Sequence, residues 1–187
     1  MDRHDLILGA IDPDHDDGYD YRLPYGDSVS YPVIQGYGAR LSHRGAEHYT
    51  VDFGMPVGTP VHAARAGLVV LPEDSHDEGC WRDECGRLAN FVVLLHADGT
   101  TGEYFHLQHG SVLVKVGQRV ERGQLLALSG NTGYTTAPHL HFGVYRTERD
   151  GTTRSLAVHF ATRAGTITEP RAGALYTNLP STLENRN

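Results

Sequence analysis

With 187 residues, 39% of them hydrophobic, the chain has enough apolar material for one substantial core and little for a second. Its 16 Lys and Arg against 23 Asp and Glu give a formal charge of −7, which argues against holding nucleic acid or an anionic surface by bulk electrostatics. The 12 histidines against two cysteines direct any metal site toward imidazole and carboxylate ligands rather than a thiolate cage.

The opening "MDRHDLILGAIDPDHDDGYD" lacks the basic start and long apolar run of a secretory signal, and no segment approaches membrane-span length. An exported form would therefore carry its signal outside this sequence. Residues 1–29 read as an acidic N-terminal arm. Asp12, Asp14, Asp16 and Asp17 are possible donors to a hard cation, but the glycine and distal glutamate of an EF-hand loop are missing, so calcium is not assigned.

Residues 30–165 read as one domain of short strands and turns. No long stretch keeps apolar residues at i, i+3, i+4 and i+7, and 22 glycines punctuate the chain, so helix should be scarce. "GTPVHAARAGLVV", from Gly58, and "GQRVERGQLLALSG", from Gly117, echo each other: a glycine turn, a strand start at Val61 or Val120, then Gly67 or Gly123 ahead of a second apolar strand. One β-turn-β unit used twice predicts an all-β fold, a compact antiparallel sheet or barrel-like core with long loops. Between the copies, Cys80 and Cys85 flank the polar "CWRDEC", read as a surface loop closed by a small disulfide, with two free thiols as the alternative. A bridge implies an oxidising compartment.

"NFVVLLHADGTTGEYFHLQ" predicts a hairpin: a strand from Phe91 to Leu95, a turn around Asp98-Gly99, and a returning strand with Tyr104 and His106 on a shared face. Residues 166–187 form a polar C-terminal extension, expected to end as an edge strand and a frayed tail.

"TTAPHLHFGVYR" places His139 and His141 on one face of a strand, with Leu140 on the other. Their Cα atoms would lie roughly 6 to 7 Å apart, which suits two ligands of one ion, or one ligand beside a proton carrier. Alone, the pair reads more readily as ordinary surface or hydrogen-bonded histidines. Upstream, "SHRGAEHYTVDFGMPVGTPV" supplies His43, His48 and Asp52. A hydrolytic zinc site needs three protein ligands and an open fourth position, and a His, an Asp and a His would fill it.

From about Gly36 to about Val144 the chain resembles the lysostaphin-type (LytM-type) zinc endopeptidases of peptidoglycan. The resemblance rests on "VDFGMPVGTPVHAARAGLVV", "EYFHL", "VGQRVERGQLLALSGNTG" and "PHLHFGV", present in that order. It implies that residues 30–165 are the zinc endopeptidase domain and that Zn2+ is held by an upstream His, by Asp52 and by His141. It implies that His106 and His139 are the catalytic pair that does not bind metal. The expected partner is a peptidoglycan peptide, with no nucleic acid, no membrane span, a monomeric state and an extracytoplasmic location.

The first ligand departs from the family's commonest pattern, H-x-G-x-D. His48 has that spacing to Asp52, but Thr50 replaces the glycine. With β-branched Thr50 and Val51 between them, residues 48–52 are expected to be extended, with end Cα atoms about 13 Å apart. That is too far for two bonds of about 2 Å to one ion. His43, followed by Gly45, has length enough to turn back, so it is preferred over His48; a similar "QGYGARLSH…YTVDF" layout looks like a subgroup of the family. Tyr37 is a conceivable oxyanion donor but is read as a packing tyrosine. His4, His15, His62, His76, His96, His109 and His159 are read as structural. The competing reading is a catalytically silent, metal-free member of the fold acting as a wall-binding or regulatory module. A β-barrel lectin or carrier that binds metal incidentally is the third.

Overall fold

The computed structural model describes residues 9–11, 13, 15–16 and 18–180. Asp12, Asp14 and Asp17, weighed above as cation donors, lie outside the described residues, as does His4. The first strands are β1 (Asp20–Arg22), β2 (Ser30–Gln35), β3 (Val51–Phe53), β4 (Pro60–His62), β5 (Gly67–Glu73), β6 (Gly79–Cys80), β7 (Phe91–Leu95) and β8 (Thr101–Phe105). They are followed by β9 (Arg119–Val120), β10 (Leu125–Leu128), β11 (Gly133–Tyr134), β12 (Leu140–Thr147), β13 (Thr153–Ser155), β14 (His159–Thr162), β15 (Gly165–Ile167) and β16 (Leu175–Thr177). Among the described residues, helical structure is confined to 3-10 turns at Gly45–Glu47 and Asp83–Leu88.

A nine-stranded sheet runs β16-β2-β3-β12-β8-β7-β5-β9, with β13 also paired to β12. Its pairings are antiparallel throughout, as expected from the glycine-punctuated, alternating sequence. The predicted hairpin forms with β7 against β8, Phe91 opposite Phe105 and Leu95 opposite Thr101. The two β-turn-β copies pair crosswise: β4 with β10, and β5 with β9. Gly58 (φ 85°) and Gly117 (φ 80°) open the two copies in the left-handed region that residues with a Cβ avoid.

The core lies on the face of β12 that carries Leu140, Phe142 and Val144. Phe142 packs on Tyr104 and on Phe160 of β14, and Phe53 on Tyr25 and Phe160. Residues 20–29, read from sequence as part of the arm, supply β1 and the fully buried Tyr21, Leu23 and Tyr25. β1 pairs parallel with β14, which brings the start and end of the domain together. The Tyr25 hydroxyl donates to the Tyr176 carbonyl (2.7 Å) and β16 completes the edge beside β2. Residues 10 and 11 contact Gly99 and Thr147, at the end of β12 opposite His141. Cys80 and Cys85 are joined by a disulfide.

His96, just past β7, is buried, with Nδ1–H donating to the Ala66 carbonyl (2.9 Å). Burial pushes its pKa down to about 4. The unfolded chain, with an ordinary histidine near 6.5, binds the extra proton between these values, so stability rises with pH across that window. Acidification from about pH 6.5 toward 4 is expected to cost up to about 3 kcal/mol from this group. Urea unfolding midpoints between pH 4 and 7 test this, with a shallower slope expected for His96→Gln.

Candidate metal centre

Asp52 lies at the middle of β3 and stands directly opposite His141 of β12. Because side chains alternate along β12, Leu140 and Phe142 enter the core while His141 faces the other way, beside Phe105 of β8. Asp52 Oδ1 accepts a hydrogen bond from His141 Nδ1 at 2.8 Å. Its Oδ2 accepts one from Gln35 Nε2 at 2.6 Å. Gln35 reaches it because the β2–β3 register shifts between Val33 and Gln35, a bulge that sets Gln35 opposite Asp52.

His43 arrives from the loop after β2. Its ring is fully buried, and Nδ1 donates to the Gly36 carbonyl at 2.9 Å. That bond fixes the tautomer and leaves the Nε2 lone pair aimed inward. Nε2 sits 3.2 Å from Asp52 Oδ1 yet out of line for a hydrogen bond, so it is a buried nitrogen with no hydrogen-bond partner. Donor atoms of His43, Asp52 and His141 all lie within 4.8 Å of one another. An unpartnered imidazole nitrogen, a carboxylate oxygen and a second imidazole nitrogen converging on one point fit a divalent cation.

Two more imidazoles border this cluster. His139 precedes β12, donates from Nδ1 to the Ala137 carbonyl at 2.8 Å, and places Nε2 3.8 Å from Asp52 Oδ2. His106 follows β8 and donates from Nδ1 to the Thr132 carbonyl at 2.7 Å. The two ring centroids are 4.5 Å apart. The expectation that Tyr104 shares a face with His106 is corrected here. His106 has φ 64°, a left-handed conformation that breaks the alternation. Tyr104 consequently stays in the core, where its hydroxyl accepts the Ala64 N–H (2.8 Å), while His106 turns toward the cluster.

The charges divide clearly. Burial would raise the Asp52 carboxyl, but the His141 hydrogen bond and the adjacent His43 outweigh it and hold the pKa well below the usual carboxylate range. Burial would likewise depress His141, yet the Asp52 and Glu47 carboxylates raise it to about 9. Desolvation, reinforced by the neighbouring imidazoles, pushes His106 down to about 3. Desolvation also lowers His139, in spite of the nearby Asp52 charge. The set therefore offers one anionic site that attracts a cation and two neutral imidazoles to its side.

Other supporting residues carry no sequence signal of their own. Glu47 Oε2 stands 3.6 Å from His141 Nε2 and accepts a hydrogen bond from Tyr145. The Thr132 hydroxyl donates to the Leu107 carbonyl (2.8 Å) and accepts the Asn90 N–H (3.1 Å), which steadies the carbonyl that orients His106. Gln35, a polar residue ending the apolar "YPVI" run, is the one visible hint.

His48 falls outside the cluster, but not for the reason expected. Residues 48–52 are not fully extended: His48 closes the 3-10 turn with φ −55° and ψ −38°, and strand begins only at Val51. The His48 ring lies against Tyr49 (4.5 Å) and over Gly38. Tyr37 packs on Tyr49, and its hydroxyl bonds the Val158 backbone.

Residues 46–153 match peptidase family M23. The chain is 41% identical over 102 residues to the peptidoglycan DD-endopeptidase ShyA of Vibrio cholerae, covering 54% of this chain and 21% of that protein. It is 38% identical over 155 residues to lysostaphin of Staphylococcus simulans, covering 82% of this chain and 29% of that protein. It thus spans less than a third of either relative's length. Among solved structures, a zinc-containing peptidase from Vibrio cholerae superposes with a TM-score of 0.52 at 27% identity, covering 74% of this chain and 39% of that one. With more than half of its length matched by the family model, this chain belongs to peptidase family M23.

Proposed function

We propose that the chain is a zinc-dependent endopeptidase that hydrolyses peptide bonds in peptidoglycan stem peptides or cross-bridges. In this reading His43, Asp52 and His141 hold the metal, and His106 and His139 are the catalytic imidazoles. The observation that carries it is the convergence of three donor atoms, one a buried nitrogen without a hydrogen-bond partner, beside two imidazoles tied through Nδ1 to backbone carbonyls. Support comes from the ShyA relative, named as a peptidoglycan endopeptidase, and from the structural neighbour, named as zinc-containing. A set of two nitrogens and one oxygen, three protein ligands where a tetrahedral ion takes four, suits zinc in hydrolytic use.

When bound, zinc supplies activation of water and polarisation of a carbonyl. The chain's own residues do the rest. His139 and His106 each have Nδ1–H tied to a backbone carbonyl, so Nε2 is the atom that accepts the proton of an attacking water or hydrogen-bonds a developing oxyanion. The Asp52 oxygen 3.8 Å away makes His139 the better placed of the two to carry a positive charge. Their separation of 4.5 Å disfavours protonation of both at once. Gln35 and Glu47 orient Asp52 and His141. The silent-module reading is weaker because the ligand set and the imidazole pair are intact. A wall substrate and the Cys80–Cys85 disulfide both support an extracytoplasmic location in this reading.

Metal analysis of the purified protein should find about one zinc per chain, lost in His43→Ala and His141→Ala and kept in His48→Ala. Loss of zinc in His48→Ala alone would overturn the ligand set. His139→Ala should keep zinc while turnover on peptidoglycan falls about 10²- to 10⁴-fold.

In the metal-free protein, nitrogen NMR should show His141 titrating near 9, and Glu47→Gln should lower that value. A folded-state pKa above 6.5 means that His141 contributes stability fully present below that pH and lost as pH rises through about 9. Metal must displace this proton, so metal affinity should rise with pH over the same interval. Glu47→Gln should weaken zinc affinity about 10- to 100-fold.

A further inference from the structure

Trp81 is stacked on Tyr134, with ring centroids 4.3 Å apart and planes 21° from parallel, yet Trp81 remains 45% exposed. One face of the indole is covered by Tyr134, and the residue still presents a large part of its surface to solvent. Rigid backbone holds the pair in place. Trp81 lies inside the loop closed by the Cys80–Cys85 disulfide. β6, just before it, pairs with β11, which carries Tyr134, through Gly133 N–H to the Glu78 carbonyl (2.9 Å) and Thr135 N–H to the Cys80 carbonyl (3.1 Å). The contact is close enough that a Cβ on Gly79 would lie 2.0 Å from the Asn131 carbonyl oxygen.

This stack adjoins the hydrolytic residues along the chain. The Thr132 carbonyl that orients His106 lies two positions before Tyr134, and the Thr135 hydroxyl, 3.3 Å from His139 Nδ1, lies one position after it. A ligand resting on Trp81 and Tyr134 would sit on the same segment that holds both imidazoles. Arg82 and Glu84, exposed and paired at 2.8 Å, follow Trp81 in the same disulfide-closed loop and offer polar groups suited to hydroxyl and acetamido substituents.

We propose that the Trp81–Tyr134 stack is a saccharide platform that seats the glycan strand of the substrate beside the hydrolytic site. The inference rests on the peptidoglycan reading above. Stem peptides and cross-bridges are built mainly of small and charged residues and offer little flat apolar surface. Pyranose rings present a face of C–H groups that matches an open indole, and a ring fixed before binding loses little entropy on contact.

Trp81 is the single tryptophan of the chain, so its fluorescence reports on this ring alone. The full chain is titrated with chitotetraose, an oligosaccharide of N-acetylglucosamine, and separately with a glycan-free stem peptide. Saturable change in Trp81 emission with the saccharide is expected, with affinity weakened about tenfold or more in Tyr134→Ala and kept in Tyr134→Phe. Calorimetry on Trp81→Ala should show the saccharide heat lost, with an unchanged circular dichroism spectrum confirming the fold. No saturable response to saccharide, a response to the peptide alone, or undiminished saccharide affinity in Tyr134→Ala overturns the platform. Hydrolysis of a glycan-free cross-linked peptide is measured alongside. Hydrolysis without saccharide binding removes the platform and leaves the peptidase reading, whereas saccharide binding without hydrolysis removes the peptidase reading.

Discussion

A carboxylate buried at the centre of a sheet is the constraint on which the site depends. Asp52 is 2% exposed, and an ionised group so placed costs several kcal/mol unless charge and hydrogen bonds compensate. The compensation comes from three directions: His141 on Oδ1, the Gln35 amide on Oδ2, and the His43 and His139 rings close by. None of these partners is adjacent in sequence to Asp52. They meet because β2 and β12 flank β3, so the sheet order itself assembles the compensating shell. His141, raised to about 9 by the Asp52 and Glu47 carboxylates, holds the positive charge that balances the buried carboxylate.

The same economy of backbone recurs around the other imidazoles. His43, His106 and His139 each anchor Nδ1–H to a main-chain carbonyl, of Gly36, Thr132 and Ala137 respectively. A carbonyl fixed by its own segment is a stiffer orienting group than a free side chain, and it sets the same tautomer three times. The left-handed backbone at His106 belongs to this scheme. Strain at a non-glycine residue persists only where surrounding contacts over-determine it, and here the Asn90, Thr132 and Leu107 hydrogen bonds do so.

Around this rigid centre, two of the histidines not drawn into the cluster take structural work. His62 donates to the Gly123 carbonyl across the paired β-turn-β units, and His96 to Ala66 behind the hairpin. The loop between β5 and β7 is clamped by its disulfide and paired through β6 to the segment that carries partners of His106 and His139.

Local periodicity determined much of this from the sequence alone. The alternation of "LHFGV" separates His141 from Leu140 and Phe142, the hairpin from Phe91 follows from its turn residues, and the paired copies at Gly58 and Gly117 follow from glycines that permit positive φ. Each is a property of a few neighbouring residues, which is why it could be read without the fold. The resemblance of ordered motifs added Asp52, His106, His139 and His141 as expected site residues. What tertiary structure decided lies between segments far apart in the chain: that His43 rather than His48 reaches Asp52, that a bulge aims Gln35 and that Glu47 faces His141. The same holds for residues 21–25, which enter the core rather than trail from it, and for His106, which leaves the strand pattern. Register shifts, left-handed residues and long-range carbonyl partners depend on which strands pair, and strand pairing is not a local property of the sequence.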